Sequence, residues 1–254
     1  MRKLLLAAAV LTVAALPVAA QQPQQAPYLV LHQEIAKPSM IAQYEASTKE
    51  FIALVKANKD KMPHFAVTCL MSPNLTYTYI LSMPTLATMD AVNAEFGALA
   101  QSAGAAFLDL NKRGGEATDH IRESIVQLAP ELSYRPAQPR LKPEEARYHH
   151  YDLYYVMPGR EPEADQLGAD YAKLYKAKNI GTGYNLYKTV MGPDMPVYVA
   201  AVNARDAADF EAERAKVEAA LGAEGQALNQ RAMSLTRRFE QQEAVLRPDL
   251  SIPR

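Results

Sequence analysis

The second half of this chain restates the first at a spacing of about 120 residues, so whatever it folds into must be built from two similar units. Pro38 follows an alternating run that begins at Tyr28, and Pro158 follows one that begins at Tyr148. Ser72-Pro73-Asn74 returns as Gly192-Pro193-Asp194, each between two runs of strand character. The closing segment Leu128-Ala-Pro-Glu-Leu-Ser-Tyr134 returns as Leu246-Arg-Pro-Asp-Leu-Ser-Ile252. The closing pair is spaced slightly closer than the others, an ordinary indel within a repeat.

Each copy shows the same order of periodicities. In the first, Tyr28 to Ile35 alternates as a strand, and Ser39 offers an N-cap to a helix with the stripe Ile41, Tyr44, Phe51, Leu54 and Val55. Phe65 to Met71 and Thr76 to Met83 predict a strand pair about the Pro-Asn turn, and Leu86, Met89, Val92, Phe96 and Leu99 a second helix. In the second copy, Leu167, Tyr171, Leu174 and Tyr175 mark the first helix. Phe210, Val217, Leu221, Leu228, Ala232, Leu235 and Phe239 mark the last, with Gly222 and Gly225 as interruptions. Short closing strands are expected within 124–134 and 243–252. The order β-α-β-β-α with a closing strand is the split βαβ, ferredoxin-like plan, so the fold class is α+β.

Residues 1–20 read as a secretory signal peptide. Arg2 and Lys3 precede an apolar run from Leu4 to Leu16, and Val18-Ala19-Ala20 supplies the small residues before a cut at Gln21. The run is too short to span a bilayer and Pro17 breaks it, so no membrane anchor is expected. The expected organisation is a signal peptide (1–20), a flexible lead (21–27), the first repeat (28–135), a Pro-containing linker (136–147) and the second repeat (148–254). Export across the inner membrane, to the periplasm, is the expectation. One cysteine, Cys69, leaves no internal disulfide, and its apolar surroundings read as core. The formal charge is −1, with acidic and basic residues interspersed, which predicts no nucleic-acid partner. Gly114-Gly115 lacks the context of a phosphate loop and reads as a helix break, so no ATP or NAD motif is present.

Two such units in tandem, each closing on a Pro-acidic-Leu-Ser tail, resemble the dimeric α+β barrel superfamily, which includes the NIPSNAP-like proteins and the antibiotic-biosynthesis-type monooxygenases. The resemblance covers essentially the whole chain after the signal segment. It implies two ferredoxin-like repeats forming an intramolecular barrel, with helices outside and ligands or haem, where bound, in clefts beside the sheets. It carries no catalytic residue onto this sequence.

Strand alternation places residues two apart on one face. If Leu29, Leu31 and Ile35 pack under the helices, His32 and Glu34 face a barrel interior, with His150 and Asp152 at related positions in the second copy. On the third strands, Tyr77, Tyr79 and Leu81, with Val197, Val199 and Ala201, are expected under the helices, turning Thr78, Ser82 and Tyr198 inward. His32, Glu34, His150, Asp152 and Tyr198 are therefore the candidate ligand-binding residues, suited to acid-base work or to holding a divalent metal. Mutual hydrogen bonding is the competing role for them. His120 is expected on the last helix of the first copy, and His64 at the surface. Small-molecule binding in the cleft or interior between the sheets is the expected function, with no cofactor assigned. The alternatives are a cofactor-light monooxygenase-type enzyme, a haem or metal protein, and a non-catalytic interaction module.

Overall fold

The computed structural model describes residues 27–253; the expected signal segment and nearly all of the lead lie outside them. The first half runs β1 (Tyr28–Ala36), α1 (Ile41–Ala57), β2 (Val67–Met71), β3 (Thr76–Met83), α2 (Thr88–Ala103), α3 (Ala105–Ala117) and β4 (Thr118–Leu128). The second runs β5 (Tyr148–Val156), α4 (Glu161–Ala177), β6 (Asn185–Met191), β7 (Val197–Ala204), α5 (Ala207–Leu235) and β8 (Thr236–Leu246). The strands close into one antiparallel barrel in the order β1-β3-β2-β8-β5-β7-β6-β4. Each half contributes a sheet of the same internal order, β4-β1-β3-β2 and β8-β5-β7-β6, and the two sheets meet at the β2–β8 and β4–β6 seams. Closure removes every free sheet edge.

Several expected boundaries shift. A 3-10 turn at Pro38–Met40 precedes α1, and Ser39 makes no cap. The closing strands are longer and begin earlier than expected, so His120 and Phe239 lie on β4 and β8 instead of helices. The Pro-acidic-Leu segments beyond them are single 3-10 turns, Pro130–Leu132 and Pro248–Leu250, each begun by a proline that has no N–H to satisfy. Gly114-Gly115 stays inside α3. The break falls at Gly104 (φ 53°), and its counterpart Gly222 (φ 56°) bends α5 at the matching place. Both backbones occupy a region that side chains with a Cβ rarely adopt.

The duplicated tails explain how the halves hold together, because each tail packs into the other half. Leu250 and Ile252 join Tyr44, Val55 and Tyr77 in the first core, while Ala129 and Leu132 join Val156, Leu167 and Tyr198 in the second. Ser251 Oγ accepts the Cys69 N–H at 2.9 Å, and Ser133 Oγ accepts the Leu186 N–H at the same distance. Val67 and Ile252 exchange backbone hydrogen bonds, as do Tyr134 and Tyr184. Arg247 adds an ion pair to Glu45 of α1 at 2.5 Å, and Tyr77 donates to the same carboxylate at 2.9 Å.

The barrel has two covered faces, and this reverses part of the expected inside and outside. Leu29, Leu31 and Gln33 line the lumen, whereas His32 and Glu34 lie under the helices. Apolar character does not identify the helix side when both faces are enclosed. On β3, Tyr79 and Leu81 do face the helices and Thr78 and Ser82 the lumen. On β7 the assignment inverts, with Val197, Val199 and Ala201 in the lumen and Tyr198 under the helices. The reason is a single residue. Tyr77 stands four positions after Pro73, but its counterpart Tyr198 stands five after Pro193, and one extra residue turns a strand over.

Leu250 is 0% exposed and Leu132 is 3% exposed. Alanine at either position is expected to cost about 2–5 kcal/mol in urea unfolding. A loss under about 1 kcal/mol would show that the exchanged tails are not part of the cores.

Candidate functional site

Two helix-covered clefts, one per half, divide the candidate residues between them. The first, of about 480 Å³, lies between the outer face of the β1–β3–β4 sheet and helices α1, α2 and α3. The ladder sets Glu123 of β4 and Tyr79 of β3 on either side of His32, and Glu34 follows two residues along the same face. The contacts form a chain. His32 Nδ1 lies 2.7 Å from Glu123 Oε1 and His32 Nε2 lies 3.0 Å from Glu34 Oε1. The Tyr44 hydroxyl donates to Glu34 Oε2 at 2.5 Å and stands 2.9 Å from the Tyr79 hydroxyl. With its proton committed to Glu34, Tyr44 accepts from Tyr79.

The chemistry follows from this order. A carboxylate can only accept, so both imidazole nitrogens of His32 donate, which is the pattern of an imidazolium. The hydrogen bond to Glu34 raises the His32 pKa most, burial opposes it, and Glu123 adds to the rise. Burial, reinforced by Tyr79 and Glu34, drives the Tyr44 phenol far above its ordinary value, and burial also raises Tyr79. The Glu123 side chain is 67% exposed and Tyr44 only 1%, so the chain runs from solvent to the interior. Phe51, Phe65 and Phe96 form an apolar wall, with Phe65 edge-on to Phe96 at 4.6 Å. Cys69, paired with Tyr79 across the β2–β3 ladder, is fully buried, and burial pushes its thiol up to about 12, which leaves no thiolate for nucleophilic work.

The second cleft, of about 380 Å³, lies under α4 and α5. His150 is buried there, its ring stacked on Phe210 with centroids 4.2 Å apart. His150 Nε2 is 3.1 Å from Asp152 Oδ1, which also accepts from Gln241 at 2.9 Å. Tyr154, Tyr171, Tyr175 and Tyr184 crowd the remaining wall. The Tyr184 hydroxyl is buried with no hydrogen-bond partner among the described residues. Tyr198, expected to reach a ligand, instead donates to Asp165 of α4 at 2.7 Å and is 4% exposed. That bond matches Tyr77 to Glu45 in the first half, and Tyr198 lines the second cleft instead of the lumen.

His32 and Glu34 are thus together, and so are His150 and Asp152, but the two pairs do not share an interior. Tyr44, Tyr79, Glu123 and Gln241 do not stand out in the sequence. Tyr44 reads there as part of an apolar stripe, and the cross-strand register that sets Glu123 and Tyr79 beside His32 is not visible in one strand alone. His64 is exposed and pairs with Glu95, and the exposed His120 pairs with Asp119.

The histidines of the two clefts are held by carboxylates, an arrangement that does not favour ligation of haem or a divalent ion. Both His32 nitrogens are taken up by carboxylates, and His150 turns Nε2 to Asp152 while its ring lies flat on Phe210. Helices α4 and α5 carry no histidine or cysteine that could serve as an axial ligand. Among the described residues no three His, Cys, Asp or Glu side chains are placed so that they could hold a metal ion.

No protein-family model matches the sequence, and no curated protein matches it significantly. Solved structures match its shape. An anthrone oxidase-like protein aligns with a TM-score of 0.59 at 14% identity, covering 88% of this chain and 92% of its own. A putative monooxygenase from Fusobacterium nucleatum subsp. nucleatum aligns at 0.53 and 11% identity, covering 87% and 93%. Chlorite dismutase from Candidatus Nitrospira defluvii, in complex with imidazole, aligns at 0.53 and 13% identity, covering 89% and 93%. At such identities the likeness is one of fold. The chain has the α+β barrel architecture of the monooxygenase-like and chlorite dismutase-like proteins.

Proposed function

We propose that this protein is an exported, tandem ferredoxin-like enzyme of the monooxygenase type that oxidises a small aromatic molecule in the first cleft. The observation that carries the reading is the hydrogen-bonded chain Glu123–His32–Glu34–Tyr44–Tyr79 along an aromatic wall. Perturbed titratable groups gathered in a cleft are the mark of acid-base work. The likeness to an anthrone oxidase-like protein and to a putative monooxygenase supports the same class.

The reaction such a site suits begins with a substrate whose C–H is acidified by neighbouring rings. Tyr79 takes the proton as its own passes through Tyr44 to Glu34, so no phenolate accumulates on groups whose pKa values are driven so high. Dioxygen, the co-reactant, adds to the carbon, and the returned proton converts the peroxide anion to a hydroperoxide. Loss of the second C–H proton with the distal oxygen releases water and leaves a carbonyl. One CH₂ and one O₂ thus give one C=O and one H₂O. His32, held cationic beside Glu34, connects that carboxylate to Glu123 and solvent.

A second reading rests on the second cleft. Four tyrosines and an unsatisfied Tyr184 hydroxyl suit non-catalytic binding of an aromatic molecule bearing a hydrogen-bonding group.

With anthrone as the probe, oxygen uptake is expected, and Tyr44→Phe or Glu34→Gln should lower kcat by about 10²–10⁴ with little change in KM. No uptake, or uptake equal in the variants, would contradict the enzyme reading. Stability should also carry the His32 charge. A folded-state pKa above the unfolded value contributes stability in full below about 6.5, and this is lost as pH rises through the folded pKa. The stability difference between the native chain and His32→Gln should therefore shrink as pH rises above about 6.5 in denaturant titrations. A pH-independent difference would mean that His32 is neutral.

A further inference from the structure

We infer that the barrel lumen is a separate binding site for an amphipathic monoanion with an aromatic or aliphatic body. An eight-stranded barrel is just wide enough either to fill with side chains or to hold one small ligand. Here it is not filled. About 830 Å³ remains, within the range of small-molecule pockets. Leu29, Leu31, Leu153 and Val199 point into this space and are only partly buried, although they sit inside a closed sheet.

The two ends of the lumen differ in chemistry. At the end where β5 finishes, Arg238 pairs with Asp194 at 2.8 Å and with Glu240 at 3.1 Å, so its charge is compensated. Arg122, beside Gln33 on the ladder, lines the same cavity and makes no ion pair or side-chain hydrogen bond among the described residues. The two arginines and two carboxylates that line this mouth balance in charge, but both carboxylates are engaged by Arg238, so the unpaired planar fork of Arg122 is left to bind a carboxylate or sulfonate.

At the end where β5 begins, His149 lines the cavity with a buried Nε2 that has no hydrogen-bond partner among the described residues. The Ala146 carbonyl and the Asn203 side chain engage its ring, and burial lowers its pKa, so it is neutral. Its buried Nε2 is left as a ring nitrogen free to pair with a ligand. A buried polar nitrogen of this kind is costly unless something hydrogen-bonds to it. From His149 to Tyr155 the strand runs roughly 20 Å, or about 15 Å along a tilted barrel axis. Leu31, Leu153, Tyr151 and Tyr187 line the span between. A ligand with its anionic head at Arg122, an apolar body along these residues and a hydrogen-bonding group at His149 would meet each group in turn.

The β7 strand separates this site from the second cleft, because Ala201 faces the lumen and its neighbour Ala200 faces the cleft. The test is fluorescence titration with 1-anilinonaphthalene-8-sulfonate and with the neutral N-phenyl-1-naphthylamine, folding being checked by circular dichroism. Saturable binding of the sulfonate is expected, weakened about tenfold by Arg122→Gln, which should leave the neutral probe unaffected. Ala201→Phe should abolish binding of both probes, and Ala200→Phe should preserve it. Absence of saturable sulfonate binding, equal sulfonate affinity in Arg122→Gln, or loss of binding in Ala200→Phe with retention in Ala201→Phe would overturn the assignment.

Discussion

The molecule depends on two seams at which unlike halves of one chain complete a single barrel. The β2–β8 seam has only two ladder pairs, Leu70 with Leu246 and Met71 with Val245. Its strength comes from the tail beyond β8, which buries Leu250 and Ile252 in the first core and satisfies a β2 amide through Ser251. The reciprocal tail does the same at β6 with Leu132 and Ser133. Neither half could bury its own core or satisfy its own strand edge alone, so the duplication amounts to mutual completion. Closure also leaves a lumen between the sheets in addition to the two clefts under the helices.

Within this shared frame the halves keep their packing and change their chemistry. The bond from Tyr77 to Glu45 and the bond from Tyr198 to Asp165 tie a strand to its first helix in the same way. One position along the sheet the likeness ends. Val30, His32 and Glu34 stand where the second half has His150, Asp152 and Tyr154. One half thereby acquires a carboxylate–imidazolium–carboxylate chain leading to two buried phenols. The other acquires a histidine stacked on Phe210 and ringed by tyrosines. Twofold architecture with unequal clefts is what a single chain permits and two identical subunits do not.

Much of the architecture could be read from the sequence, because repeat spacing and periodicity are local properties. The helices, the hairpins and the duplicated tails all appear near their expected places. The faces were harder. Leu29 and Leu31 are apolar as expected, but they line a lumen, since a closed barrel covers both sides of its sheet. Tyr198 turned over because a hairpin gained one residue, a change that matters little to periodicity and decides orientation. His32 with Glu34, and His150 with Asp152, were visible as pairs two apart on a strand. Glu123, Tyr44 and Tyr79 were not, because they reach His32 and Glu34 from other strands and a helix, through register that only folding supplies.

The first cleft turns on His32 being a cation clamped between Glu34 and Glu123, the link that makes the chain continuous from solvent to the buried phenols. Nitrogen-15 NMR of the histidine side chains across pH reads this directly. The expected result is a His32 imidazole protonated on both nitrogens at neutral pH, titrating above the ordinary value of about 6.5 and moving down in Glu34→Gln. A His32 that titrates at or below that value, with one nitrogen bare at neutral pH, would contradict it.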